Sequence, residues 1–154
     1  MDLSNRLKWP LSCIFGTLVI VFYCIFTLTS AVMFQNPWSP WPYLSDFGNS
    51  IYNPNGAIFY NLGCILTGLM LLPFYIGLFI WYTKEAWRKV LIIITQIVGM
   101  ASGIALILIG VYPENSTPVG FHHLWSITFF MLNLGVLVVA NLSLLTHPKF
   151  IKLI

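Results

Sequence analysis

The sequence predicts an all-α fold, an integral membrane four-helix bundle. Only 7% of its 154 residues are charged and 58% are hydrophobic, whereas a soluble domain carries about 25% charged residues. A helix that crosses the roughly 30 Å hydrocarbon core of a bilayer needs about 20 apolar residues. Four apolar runs meet that length, at about 10–35, 56–82, 90–112 and 122–146.

The four runs are expected to form a single transmembrane domain over residues 1–154. The first run follows Arg6 and Lys8, but its apolar part is longer than the 7–15 residues, approximately, of a signal-peptide core. We therefore interpret it as a retained helix. A short charged turn, TKEAWRK, joins the second and third runs and predicts an antiparallel hairpin. Pro73 is expected to kink the second helix, because proline removes a backbone donor and clashes one turn earlier.

The distribution of cations predicts the orientation. All seven Lys and Arg residues lie at the N-terminus, in the turn at 84–89, or at the C-terminus. Basic residues favour the cytoplasmic side, so both termini are predicted to be cytoplasmic, with 36–55 and 113–121 outside. We expect an integral protein of the plasma or cytoplasmic membrane, in contact with membrane lipids. The net charge of +3 suits anionic lipid head groups, and no nucleic-acid partner is predicted.

Small residues predict where helices approach closely, since helices in lipid associate through close packing and hydrogen bonds. The second helix carries Gly63 and Gly68, and the third carries Gly99 and Gly103 in a GxxxG pattern. These faces are expected to meet partners within the bundle, including each other. Dimerisation of the chain through GxxxG is the alternative.

A polar cluster is predicted at the outer half of the bundle. At 100° per residue, His122, Ser126 and Asn133 fall within about 40° of one another on the fourth helix, while His123 points about 100° away. Two acids and one amide are expected on the same side of the membrane. The candidate site residues are Asp46, Asn61, Glu114, His122, His123, Ser126 and Asn133.

Three interpretations of this cluster remain open: structural support for helix ends and loops, a pocket for a lipid head group or small ligand, and a catalytic or metal site. No metal is predicted, because adjacent histidines on a helix point apart and the His-Glu-x-x-His spacing is absent. A Ser-His-Asp arrangement from Ser45 or Ser126 with His122 and Asp46 rests on residue types alone. No cofactor is predicted, and lipid is the ligand that we expect.

Two stretches carry a family resemblance: YLSDFGNSIYNPNGAIFYNLGCILTGLMLLPF and GIALILIGVYPENSTPVGFHHLWSITFF. Together they resemble, over roughly 45–130, the prokaryotic membrane family called domain of unknown function 998. More distantly, the chain is similar to DRAM and Frag-type multi-pass proteins, which are linked to lipid remodelling and autophagy. The residues that match the family pattern are Ser45, Asp46, Gly48, Asn53, Pro54, Phe59, Asn61, Gly63, Gly68, Gly110, Tyr112, Pro113, Glu114 and His122 or His123.

The resemblance implies that the outer cluster is the signature region of the family. Members commonly have about six helices, so the resemblance also implies that this four-helix chain is either a short form or one whose missing surface a partner covers. We expect a non-enzymatic accessory or structural component of a membrane assembly, as a homo-oligomer or in a larger complex. The alternative is a small enzyme, with or without a metal, that acts on lipid head groups. A transporter or channel subunit is the weaker alternative, because no ionisable residue occupies a membrane midplane.

Overall fold

A computed structural model describes residues 10–34, 43–118 and 120–145. Four long helices account for most of these residues: α1 (Leu11–Met33), α2 (Ala57–Ile76), α3 (Ala86–Val111) and α4 (Phe121–Leu145). Two short 3-10 helices accompany them, at Leu44–Gly48 and Gly77–Trp81, and the described ranges contain no strand. Each long helix is long and apolar enough to cross a membrane, with the second span running to Trp81. The all-α, four-span architecture is thus confirmed.

Some predictions concern residues outside the described ranges. Residues 1–9 and 146–154 carry the terminal cations on which the orientation rests, so cytoplasmic termini remain a prediction. The predicted end of the first run, at residue 35, and that of the last run, at residue 146, also lie outside the described ranges. We call the end of the bundle that carries Leu44–Gly48 and residues 113–118 the outer end, after the predicted orientation.

The start of α3 differs from the predicted one. The apolar run begins at residue 90, but the helix begins at Ala86. Its first turn is polar: the Arg88 guanidinium pairs with the Glu85 carboxylate at 2.9 Å, and the Lys89 amide donates to the Glu85 carbonyl at 3.1 Å. Hydropathy marks only the part of a helix that suits lipid, so charged first turns extend beyond the apolar run.

Pro73 lies inside α2. One turn later the α-helix ends at Ile76, and the chain continues as the 3-10 helix Gly77–Trp81. The Gly77 amide donates to the carbonyls of Pro73 and Tyr75. The kink that the sequence predicts at Pro73 remains a prediction, while the change of helix type is a feature of the fold.

The helices pack in chain order. Extensive contacts join α1 to α2, α2 to α3, and α3 to α4, but α1 and α4 form no such pair. The central pair is the better buried: in their most apolar stretches, 33% of α2 and 50% of α3 are buried, against 6% of α1 and 11% of α4. Because the two flanking helices lack extensive contacts with each other, a gap lies between them.

Glycines set the separation of the central pair. A Cβ atom on Gly68 would lie 2.6 Å from the carbonyl oxygen of Gly103, and one on Gly103 would lie 3.1 Å from that of Gly68. Ordinary contact begins near 3.4 Å. The two backbones therefore approach each other at a point where neither helix has room for a methyl group.

The other two predicted packing glycines also face neighbours in the same chain. Gly63 lies against Phe26 of α1, where an added Cβ would come within 2.5 Å of the phenylalanine Cβ. Gly99 lies against the ring of Tyr75. Both glycines of the GxxxG pattern are thus engaged with α2, so this motif provides contacts inside the chain.

Candidate functional site

Asn53 fastens the outer loop to the end of α1. Its side chain is fully buried, and its Nδ2 group donates to the Ser30 carbonyl at 3.1 Å, the Ser30 hydroxyl at 2.9 Å and the Phe47 carbonyl at 3.0 Å. Its Oδ1 atom accepts from the Gly56 amide at 3.0 Å, one residue before α2 begins. One amide side chain therefore joins α1, the 3-10 helix Leu44–Gly48 and the start of α2.

Asp46 and Asn61 support the same loop. The Asp46 carboxylate accepts from the Tyr43 amide at 2.8 Å, which caps the start of the 3-10 helix. The Asn61 Nδ2 group donates to the Gly48 carbonyl at 3.0 Å. A Cβ on Gly48 would lie 2.5 Å from the Asn61 Oδ1 atom, so glycine permits this approach. These two predicted site residues make local structural contacts.

Glu114 joins the two outer loops. Its carboxylate accepts from the Asn49 Nδ2 group at 3.4 Å, across 65 residues of sequence. Beside it, the Asn115 Nδ2 group donates to the Ser50 hydroxyl at 2.7 Å. The second predicted acid thus holds the loop after α3 against the loop before α2.

His122 and His123 have different surroundings. His122 is 5% exposed, and its Nδ1 atom lies 2.9 Å from the Tyr112 carbonyl oxygen. A carbonyl only accepts, so Nδ1 carries a proton and donates this hydrogen bond. His123 is exposed, with its ring 6.0 Å from that of His122. The sequence left open which histidine faces the bundle, and the structure places His122 there.

A groove lies between α1 and α4, with α2 and α3 as its floor. Its volume is about 630 Å³, and all four helices and the segment Tyr43–Ser45 line it. This volume falls in the range of roughly 300–1,000 Å³ typical of small-molecule sites. Four of the predicted site residues lie along it: His122, His123, Ser126 and Asn133. We call it the outer groove.

The outer groove extends from the outer end to the middle of the bundle. From His122 to Asn133, eleven residues of α4 rise about 16 Å, close to half of a hydrocarbon core of roughly 30 Å. Hydroxyl and imidazole groups line the outer end, and the stretch below is mainly apolar, with Phe129, Phe130 and Leu71 among its walls. The polar residues of this deeper stretch are Tyr23, Thr67 and Asn133. The groove thus has the length and polarity of one bilayer leaflet.

The geometry does not assemble a catalytic triad. The Nδ1 atom of His122 bonds to a backbone carbonyl, the position that an orienting carboxylate holds in a Ser-His-Asp triad. The Asp46 carboxylate is bonded to a backbone amide. Within the described ranges, no three His, Cys, Asp or Glu side chains are placed to hold a metal ion.

Sequence reasoning missed several residues of the outer groove. Tyr23 on α1 and Thr67 on α2 line its deeper part, and Tyr43 lines its outer end beside Ser45, which the sequence indicated only as an alternative nucleophile and a family-pattern residue. Each is a single polar residue in an apolar or loop segment, so no periodic stripe marks it. The only usable signal was depth: Tyr23 and Thr67 both lie ten residues from the outer ends of their helices.

Thr67 offers a test of its own placement at the floor of the outer groove. Its residue is 3% exposed and its hydroxyl has no hydrogen-bond partner. An unsatisfied buried polar group costs about 1–3 kcal/mol, and valine has nearly the same shape without the hydroxyl. We expect Thr67→Val to raise the free energy of unfolding by about 1 kcal/mol, measured as a higher thermal midpoint in delipidated detergent solution.

Thr95→Val is the matched control, because Thr95 is 4% exposed but its hydroxyl donates to the Leu91 carbonyl at 2.9 Å. This variant is expected to be neutral or destabilised. If Thr67→Val instead lowers the thermal midpoint as much as Thr95→Val does, the Thr67 hydroxyl cannot be an unpartnered group at the groove floor.

Comparison with protein families gives one match. The model described as "Protein of unknown function (DUF998)" matches residues 9–151, which contain all four helices and both outer loops. No curated protein and no solved structure matches the chain significantly.

Proposed function

The chain belongs to the DUF998 family of proteins of unknown function, and we propose that it is a non-enzymatic membrane component that holds a lipid molecule in the outer groove. The observation that supports this function is the outer groove itself. It opens between α1 and α4, runs about one leaflet deep, and changes from polar to apolar along its length. A lipid whose head lies near His122 and whose tail follows α4 would match that change.

The hydrogen bonds that the polar side chains already make favour binding over catalysis. Asp46, Asn61 and Glu114 are occupied by contacts within the outer loops. The polar groups that line the outer end of the groove are the hydroxyls of Tyr43, Ser45 and Ser126 and the imidazoles of His122 and His123. These groups can hydrogen-bond a head group. Within the described ranges, no side-chain hydrogen bond joins the Ser45 or Ser126 hydroxyl to a histidine or a carboxylate, which is the contact that would activate a nucleophile.

An accessory role in a membrane assembly is part of the proposal. The flanking helices α1 and α4 bury little of their apolar surface within the chain, which favours contact with lipid or with other membrane proteins. Intact-complex mass spectrometry after mild-detergent purification would measure lipid and protein partners in one experiment. We expect one lipid-sized mass per chain, together with a second copy or other subunits.

A groove-filling variant tests the lipid site. Ser126 lines the outer groove, so Ser126→Phe should lower the fraction of chains that retain lipid by about tenfold, equivalent to roughly 1.4 kcal/mol of binding free energy. Thr128→Phe is the control on the same helix, because Thr128 does not line the groove and its hydroxyl bonds to the Leu124 carbonyl. Equal retention by both variants would overturn the proposed site.

A further inference from the structure

The residues that line the outer groove include two histidines but none with a permanent charge. None of its lining residues is Lys, Arg, Asp or Glu. The whole outer end lacks Lys and Arg, because none occurs in the sequence between Lys8 and Lys84 or between Lys89 and Lys149. The charged residues of the outer end are the two acids Asp46 and Glu114.

This charge distribution is unsuitable for a phosphate. Proteins hold phosphate groups mainly with Arg and Lys, whose charge-assisted hydrogen bonds offset the loss of water around the anion. At the outer groove a phosphate would meet hydroxyls and imidazoles but no guanidinium or ammonium group, and the carboxylates of Asp46 and Glu114 belong to the same end of the bundle. Like charges disfavour an anionic head group further.

The groups that do line the outer end suit an uncharged head that both donates and accepts hydrogen bonds. The hydroxyls of Ser45, Ser126 and Tyr43 both donate and accept, and the ring nitrogens of His122 and His123 add further hydrogen-bonding groups. A free hydroxyl beside ester carbonyls matches this set. We propose that the outer groove selects an uncharged glycerolipid with a free hydroxyl, of the diacylglycerol class, over phospholipids. This inference rests on the proposed function, since it names the class of lipid for the same groove.

The exposed cysteines provide the test. Cys24 lines the outer groove, whereas Cys13 is exposed near the inner end of α1 and does not line it. The full chain is placed in phosphatidylcholine nanodiscs with equal mole fractions of either dioleoylglycerol or dioleoylphosphatidic acid, which differ only in the phosphate. Modification of each cysteine by a lipophilic photoactivated diazirine, which reacts within the hydrocarbon core without a thiolate, is followed by mass spectrometry of peptides. Phosphatidylcholine nanodiscs without the added lipid give the baseline for each cysteine.

Dioleoylglycerol is expected to slow modification of Cys24 roughly tenfold relative to Cys13, and dioleoylphosphatidic acid is expected to leave the ratio unchanged. Equal or better protection by phosphatidic acid would overturn the selectivity while leaving the lipid groove intact. No change of Cys24 with either lipid would overturn both proposals.

A charge-introducing variant gives a second, independent readout. Ser45→Arg places a cation at the outer end of the groove, so phosphatidic acid should now protect Cys24. Ser50→Arg is the control, because Ser50 lies in the same loop, is exposed and does not line the groove. Protection by phosphatidic acid in both variants, or in neither, would contradict the view that the missing cation sets the selectivity.

Discussion

Replacing Asn53 by alanine should lower the free energy of unfolding by about 3 kcal/mol. The change removes four hydrogen bonds of a fully buried side chain and leaves the Ser30 carbonyl and the Gly56 amide without these partners. Each buried polar group left unsatisfied costs about 1–3 kcal/mol. Thermal unfolding in mild detergent, followed by tryptophan fluorescence, would measure the loss as a lower midpoint.

Asn115→Ala is the matched control for this measurement. Asn115 belongs to the other outer loop, is exposed, and its side chain donates a hydrogen bond to the Ser50 hydroxyl at 2.7 Å. Its removal should change stability by less than about 0.5 kcal/mol, as is usual for surface substitutions. Similar midpoints for Asn53→Ala and Asn115→Ala would show that Asn53 does not hold the loop to α1.

The helices were predictable from composition because the bilayer imposes a simple requirement. A chain in lipid must pair its backbone N–H and C=O groups with each other. An apolar run of about 20 residues does so by forming a helix that spans the bilayer. Where polar residues continue a helix into the interface, as at Arg88 and Lys89, hydropathy underestimates its length. The order in which the helices pack could not be predicted in the same way, because the apolar surfaces of helices in lipid do not specify which helix lies next to which. The gap between α1 and α4 could not be deduced for that reason.

The candidate site was predictable only where one helix carried the whole pattern. His122, Ser126 and Asn133 lie on one face of α4 by the 3.6-residue period alone, and the structure places them along one groove. The acids required tertiary information. Asp46 bonds to a backbone amide three residues earlier and Glu114 to a side chain 65 residues away, so residue type and membrane side could not distinguish a ligand contact from a structural one.

The glycine contact between α2 and α3 links the packing of the bundle to its groove. Gly68→Ala would place a methyl carbon 2.6 Å from the Gly103 carbonyl oxygen and 2.7 Å from Ile107. Since the oxygen is part of the backbone, the helices must separate. We expect a loss of about 1–3 kcal/mol in the free energy of unfolding, larger than the gain of roughly 1 kcal/mol that alanine brings to a helix.

Gly135→Ala separates these two effects, because an added Cβ there would meet only Val98, at an ordinary 3.8 Å. This variant should keep or raise the thermal midpoint, whereas Gly68→Ala should lower it. Thr67 and Leu106 lie beside the glycine contact and form part of the groove floor. Separation of α2 from α3 should therefore lower lipid retention in Gly68→Ala along with stability, and leave it unchanged in Gly135→Ala. If Gly68→Ala loses stability but retains lipid as the unchanged chain does, then α1 and α4 alone hold the lipid. The floor that α2 and α3 provide would then not be needed for binding.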